Sequence, residues 1–179
     1  SGDTRGAELI RAFKSIDPAI QCDGLGGPQM ESAGMKLVYP LASLAAIGLG
    51  DVLKKYFQIR KIFHETLAYV TNRKPDAIIL IDYPGFNLRF AKKIKNRLPV
   101  FYYISPQIWA WGQRRIHIIR RFVRRMIVLF RFEEELYQRE QIPVSWVGHP
   151  LANVTFSDKS KTELKKQFGL DENEKTIAL

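Results

Sequence analysis

The stretch Ala77-Ile78-Ile79-Leu80-Ile81-Asp82-Tyr83-Pro84-Gly85-Phe86-Asn87 decides the fold. An unbroken apolar run that ends in a carboxylate is typical of a parallel strand covered on both faces. The Pro-Gly pair turns the chain, and Leu88 to Leu98 follows as a basic amphipathic helix. The same alternation continues toward the carboxyl end. Val100 to Ser105 reads as a strand, Arg114 to Arg125 as a helix and Met126 to Phe130 as a strand. Phe132 to Glu140 reads as an acidic helix and Val144 to Val147 as a short strand. Successive βα units of this kind predict an α/β, Rossmann-like, doubly wound parallel sheet.

Toward the amino end the pattern also holds. Ser1-Gly2-Asp3 reads as a turn and helix cap, with Gly6 to Ile16 as the helix it starts. Ile20 to Asp23 reads as a short strand, followed by the loop Gly24-Leu25-Gly26-Gly27-Pro28. Asp51 is placed to cap a long helix reaching about Asn72, before Lys74-Pro75. At the far end, Lys161 to Phe168 reads as a helix closed by Gly169. Thr176 to Leu179 reads as the start of a strand. Residues 1–153 are expected to form one domain, and 154–179 a linker and the start of another. Both ends read as interrupted, because the first helix lacks the strand that usually precedes it.

The chain of 179 residues is 46% hydrophobic, enough for a real core. Cys22 is its single cysteine, which rules out an intrachain disulfide. No signal peptide and no apolar run of about 18 residues is present, so the chain reads as soluble or peripheral. The net charge of +10 is localised: Arg89 to Arg125 holds 11 Lys or Arg and no acid, while the remaining 17 basic and 18 acidic residues nearly cancel. Such a stretch attracts phosphate, whether in anionic lipid, sugar phosphate or nucleic acid, or it is simply a solvated face.

Ligands of open α/β sheets bind beyond the carboxyl ends of the strands. Asp82, Ser105 and His149 fall there. A carboxylate at a buried strand end is partly desolvated and gains strength as a base; alternatively Asp82 tightens the turn or caps the next helix. Asn87 sits where an N-cap of the Leu88 helix is expected. Trp109 and Trp111 stand one residue apart in a loop between two basic helices, a setting suited to sugar faces, lipid interfaces or stacked bases. On the following helix Arg114, His117, Arg121, Arg124 and Arg125 are expected on one side. The apolar, glycine-punctuated segment containing Leu41, Leu44, Ile47 and Leu49, continued by Val52 and Leu53, offers a patch for acyl chains or an ordinary core face. No cysteine–histidine spacing suggests a metal, no GxGxxG or Walker lysine is present, and Ser105 and His149 lie in no triad motif.

Taken in order, these segments resemble the lipid-A-disaccharide synthase family over nearly the whole chain. The matching pieces are Ser1-Gly2-Asp3 with Gly6-Ala7, and Gly26-Gly27-Pro28-Gln29-Met30 with Gly34. Ile47-Gly48-Leu49-Gly50-Asp51-Val52-Leu53 and Ile81 to Asn87 follow. Tyr103-Ile104-Ser105-Pro106-Gln107-Ile108-Trp109-Ala110-Trp111 comes next, then Phe132-Glu133 and Val147-Gly148-His149-Pro150-Leu151. The resemblance implies the amino-terminal, acceptor-binding half of a GT-B glycosyltransferase, missing its first strand. It implies transfer of 2,3-diacylglucosamine from UDP to 2,3-diacylglucosamine 1-phosphate (lipid X) at the cytoplasmic face of the Gram-negative inner membrane, without a cofactor or metal. It makes Asp82 the base. Asp3, Phe86, Asn87, Ser105, Trp109, Trp111, Arg114, Arg121 and His149 become acceptor-binding residues, and Leu41 to Leu53 the membrane or acyl-chain contact. Where some family members carry a second Asp, this chain has Gly85. With most of a nucleotide-sugar domain absent, this polypeptide alone is expected to be inactive. The competing readings are another GT-B transferase or sugar-nucleotide epimerase, a lipid-binding remnant without catalysis, and a nucleic-acid-binding domain. The last is disfavoured because the basic stretch carries no recognition motif.

Overall fold

The computed structural model describes residues 2–40, 52–108, 114–153, 159–171 and 174–176, with only the backbone of residues 40, 52–55 and 153. Two compact units emerge, Ser1–Gly148 and His149–Leu179.

The larger unit opens with α1 (Gly2–Ile16). It buries Gly6, Ala7 and Ile10, one helical stripe, against Met30, Ala33 and Met35. Then come β1 (Asp23–Gly26), the single-turn helix α2 (Pro28–Ser32) and β2 (Lys36–Pro40), with β1 and β2 paired in parallel. The strand expected at Ile20 to Asp23 therefore starts later, and the expected glycine loop is itself the strand. Packing explains the shift. A Cβ on Gly26 would stand 2.5 Å from the Met35 Cε, so glycine lets this strand lie against methionines.

The long helix α3 (Val52–Arg73) ends as expected, with Lys74 left-handed at φ 50 ahead of Pro75. Asp51, expected as its cap, lies outside the described residues. Its Phe63, Leu67 and Val70 pack against the main core, and Ile62 and Thr66 are buried as well. Four parallel strands follow in the order β3 (Ile78–Ile81), β4 (Val100–Tyr103), β5 (Arg125–Val128), β6 (Val144–Trp146). Their inward residues Leu80, Val100, Tyr102, Met126 and Val128 are buried. Helices α4 (Pro84–Ile94), α5 (Arg114–Phe122) and α6 (Arg131–Arg139) join them. The fold is thus Rossmann-like α/β, with parallel pairing throughout the described strands.

Two helix boundaries differ from expectation. Helix α4 begins four residues before Leu88, because Pro84 is accepted at a first-turn position where no N–H is needed. It ends early because Lys95 and Asn96 both turn left-handed, at φ 52 and 60. Helix α5 stops at Phe122: the Arg124 N–H donates to the Val100 carbonyl, 2.7 Å, which pulls the chain into β5. Arg124 and Arg125 therefore do not share a helical side with Arg114, His117 and Arg121.

In the smaller unit a 3-10 turn (Pro150–Asn153) precedes α7 (Lys161–Gln167). Ser160 and Glu163 form a reciprocal capping box, and Gly169 closes the helix at φ 67. Of the strand expected at Thr176 to Leu179, only Thr176 is among the described residues, and it is not in a strand.

Candidate functional site

Strand register brings the proposed chemistry to one end of the four-stranded sheet. Ile81 pairs with Tyr103 and Tyr103 with Ile127, so Asp82 and the Ile104–Ser105 step leave neighbouring strands together. The Asp82 N–H still donates to the Tyr103 carbonyl, 3.1 Å. There the backbone turns sharply. Asp82 and Tyr83 are both left-handed, at φ 48 and 41, a conformation that costs side-chain-bearing residues energy.

Three polar contacts hold this corner. The Asn87 Nδ2 donates to the Ile81 carbonyl (3.0 Å) and to the Asp82 carbonyl (2.7 Å). The Tyr102 hydroxyl donates to the Asp82 carbonyl at 2.6 Å. Asn87 therefore lies within α4 and ties the helix back to the strand end; it is not an N-cap. Burial, then the Asp82 charge, pushes the Tyr102 phenol far above its ordinary range, so it stays a donor at any working pH. The Asp82 side chain is exposed, contrary to the buried strand-end carboxylate expected from the sequence. The chain turns it outward because both residues of the corner are left-handed.

Around the corner, Phe86 is half-buried. It stacks between Tyr83 and Phe90, each 6.1 Å between centroids, and meets Phe63 edge-on at 5.2 Å. Ser105 is buried, and its Oγ lies 2.8 Å from the Tyr137 hydroxyl and donates to the Pro106 carbonyl at 3.0 Å. Glu133, also buried, accepts from the Phe130 N–H at 3.2 Å and bonds Ser105. Burial raises the Glu133 carboxyl above its ordinary range, and those hydrogen bonds only partly oppose the shift. Burial likewise pushes the Tyr137 phenol up to about 12. Tyr102, Tyr137 and the buried state of Glu133 were not anticipated; Glu133 follows Phe132 in a quoted motif, but its depth depends on how α6 packs.

Asp3, expected to cap the helix that follows it, caps a different one. It lies in the first turn of α1, and its carboxylate accepts from the N–H groups of Gly27 (3.0 Å), Gln29 (3.1 Å) and Met30 (3.1 Å). It caps α2 from across the fold, not its own helix. Gly27 makes this possible, since a Cβ there would sit 2.5 Å from the Asp3 Oδ2. Arg5, two residues on, was missed: burial raises the Tyr103 phenol at the end of β4, the Arg5 charge draws it down and that of Glu8 pushes it up. The two pair at 2.7 Å.

Arg114, His117 and Arg121 are exposed on α5, where Arg121 stacks over Phe122 with 5.5 Å to the ring centroid. His149 belongs to the smaller unit, where its Nδ1 accepts from the Leu151 N–H at 3.2 Å. Trp109, Trp111, Leu41, Leu44, Ile47 and Leu49 lie outside the described residues, as do the side chains of Val52 and Leu53. Among the described residues no cluster of three or more His, Cys, Asp or Glu could hold a metal.

The family model described as lipid-A-disaccharide synthetase matches residues 1–179. The chain belongs to the lipid-A-disaccharide synthetase family. It is 44% identical over 180 residues to the lipid-A-disaccharide synthase of Coxiella burnetii (strain Dugway 5J108-111), covering 100% of this chain and 48% of the relative. Lipid-A-disaccharide synthase 1 of Legionella pneumophila (strain Lens) is 41% identical over 181 residues, and the synthase of Syntrophus aciditrophicus (strain SB) 43% over 180. Each covers the whole of this chain and 47% of the relative. The chain thus spans about half the length of the curated synthases it matches. No described helix is long and apolar enough to cross a membrane.

Proposed function

We propose that the protein serves as the acceptor-binding half of a lipid-A-disaccharide synthase, an inverting glycosyltransferase. The reaction moves 2,3-diacylglucosamine from UDP to the 6-hydroxyl of lipid X, giving a tetraacyl disaccharide 1-phosphate and UDP. The observation that carries this reading is the family match over residues 1–179, joined to a carboxylate held at the carboxyl end of β3.

In this reading Asp82 accepts the acceptor hydroxyl proton as that oxygen attacks the anomeric carbon from the face opposite the leaving UDP. Bound acceptor covers the exposed carboxylate and excludes water from it. Asn87 and Tyr102 bind the Asp82 carbonyl and so aim its side chain. Phe86, Ser105, Trp109 and Trp111 bind the acceptor, and the family resemblance gives His149 an acceptor-binding role as well. Arg114 and Arg121 meet the acceptor phosphate. The Leu41 to Leu53 segment receives acyl chains. The basic exposed faces of α4 and α5 hold the protein to the anionic inner leaflet on the cytoplasmic side.

The test is transfer of labelled 2,3-diacylglucosamine to lipid X by a protein of the relatives' full length carrying this chain. Asp82→Asn is expected to lower turnover by about a thousandfold or more, on the scale of a lost general base and its charge, with an unchanged far-ultraviolet spectrum. Near-normal turnover removes Asp82 from the base position.

A further inference from the structure

At the amino ends of β1 and β2 the fold forms a recess of about 430 Å³. That volume suits a small ligand. Lys14, Cys22, Asp23, Lys36, Tyr69 and Arg73 are among the residues that line it. They arrive from four elements, and local structure explains why they meet. Lys14 lies in the last turn of α1 and Arg73 in the last turn of α3. Asp23 opens β1 directly across from Lys36, which opens β2.

The charges in this recess do not cancel. Asp23 is the acid among those lining groups, and it is already engaged. The Tyr69 hydroxyl donates a short hydrogen bond to its Oδ2, and the Arg73 Nε lies 3.6 Å from the same oxygen. Arg73 also donates to the Gln21 Oε1 at 3.2 Å. Lys14 and Lys36 have no ion-pair partner among the described residues. The Lys14 Nζ lies over Gly34, left-handed at φ 94, where a Cβ would collide with it. Its charge also reaches the Cys22 thiol, which burial pushes up and Lys14 draws down. Two uncompensated ammonium groups and a guanidinium thus border one recess. Lys14 and Arg73 partly offset the carbonyl ends of their helices; Lys36, at a strand start, has no such task.

We propose that this recess binds a small soluble phosphomonoester or inorganic phosphate dianion, held by Lys14 and Lys36 with Arg73 bracing one wall. It is a second anion site, separate from the carboxyl ends of the strands.

Cys22 makes the test direct, because it lines the recess and is the single cysteine of the chain. The rate of its alkylation by N-ethylmaleimide is followed by intact mass on the 179-residue chain, with inorganic phosphate against chloride at equal ionic strength. Phosphate at about ten times its dissociation constant is expected to slow labelling about tenfold. The Lys14→Met/Lys36→Met pair loses that protection, while Lys61→Met, on the exposed face of α3, keeps it. Should the pair fail to fold by far-ultraviolet dichroism, Lys36→Met alone is expected to reduce protection at least about threefold at fixed phosphate. Equal protection by chloride overturns the proposal. So does protection that survives both lysine substitutions, or a Lys14→Met variant that changes only the unfolding midpoint, since Lys14 then merely completes a helix end.

Discussion

The Asp82 corner stores strain, and the amount can be measured. A residue with a side chain in the left-handed region costs about 1–2 kcal/mol, less for Asp, which tolerates it. Asp82→Gly removes that cost but adds chain entropy to the unfolded state, so it is expected to stabilise by about 0.5–1 kcal/mol. Asn87 works in the other direction. Its two bonds to the Ile81 and Asp82 carbonyls are each worth about 1 kcal/mol net. Asn87→Ala should cost about 1–3 kcal/mol, softened because Tyr102 still serves the Asp82 carbonyl. Asn87→Asp should cost about 1 kcal/mol more than Asn87→Ala, because an acceptor-only carboxylate then faces two carbonyls. Urea unfolding followed by far-ultraviolet dichroism, at constant slope, reads all three. The expected order of stability is Asp82→Gly above the parent, then Asn87→Ala, then Asn87→Asp. An Asp82→Gly variant less stable than the parent refutes the strain argument. Equal losses for the two Asn87 variants show that its amide does not bond those carbonyls.

Three further outcomes are expected. Asp3→Ala strips three N–H groups at Gly27, Gln29 and Met30 of their acceptor, so it should cost about 2–3 kcal/mol and lower the melting midpoint by about 5–10 °C; a loss below about 0.5 kcal/mol contradicts the cap. Gly85, second in α4, has open space where a Cβ would stand, so Gly85→Ala should raise stability by about 0.5–1 kcal/mol in the same urea titration, and a loss would show that the space is not free. The Glu133 carboxyl is raised in the fold, so folding favours its protonated form. That stabilisation is present below the unfolded value and is lost as pH rises through the raised folded value. Glu133→Gln should therefore flatten this part of the stability–pH curve, and an unchanged slope would place the titrating group elsewhere.

Much of the architecture was legible in the sequence because parallel strands announce themselves. Ile78 to Ile81 and Val100 to Tyr103 are apolar on both faces, and β3 to β6 fall where the pattern puts them to within two residues. The long helix was equally readable from the near-helical spacing of Phe63, Leu67 and Val70, which pack on the core, although Tyr56 and Phe57 of the same series are exposed. The glycine-rich β1 was not. Gly24 and Gly26 have loop propensities, and only contact with Met30 and Met35 makes a strand there favourable. β2 escaped notice for a related reason: its parallel partner was placed three residues too early. At the site, Asp82 and Ser105 were placed at the right end of the sheet. The left-handed turn that exposes Asp82 depends on Tyr102 and Asn87, which meet it only once β4 and α4 pack. Asp3 shows the same limit: nothing local to Ser1-Gly2-Asp3 reveals that its acceptors are spent 24 to 27 residues away.

The larger unit holds two hydrophobic clusters, one around the four-stranded sheet and a smaller one formed by Ala7, Ile10, Met30, Ala33 and Met35. Ile81 is a strand residue of the sheet that packs against the smaller cluster. A small cluster with few buried partners is the first to open in native-state fluctuations. Asp82 is the next residue after Ile81. Any loosening of α1 and α2, or any ligand that tightens them, is felt within one peptide bond of the proposed base. The seam between the two clusters is thus a lever arm of minimal length, and the stiffness of the α1–α2 junction sets how steadily the carboxylate is held.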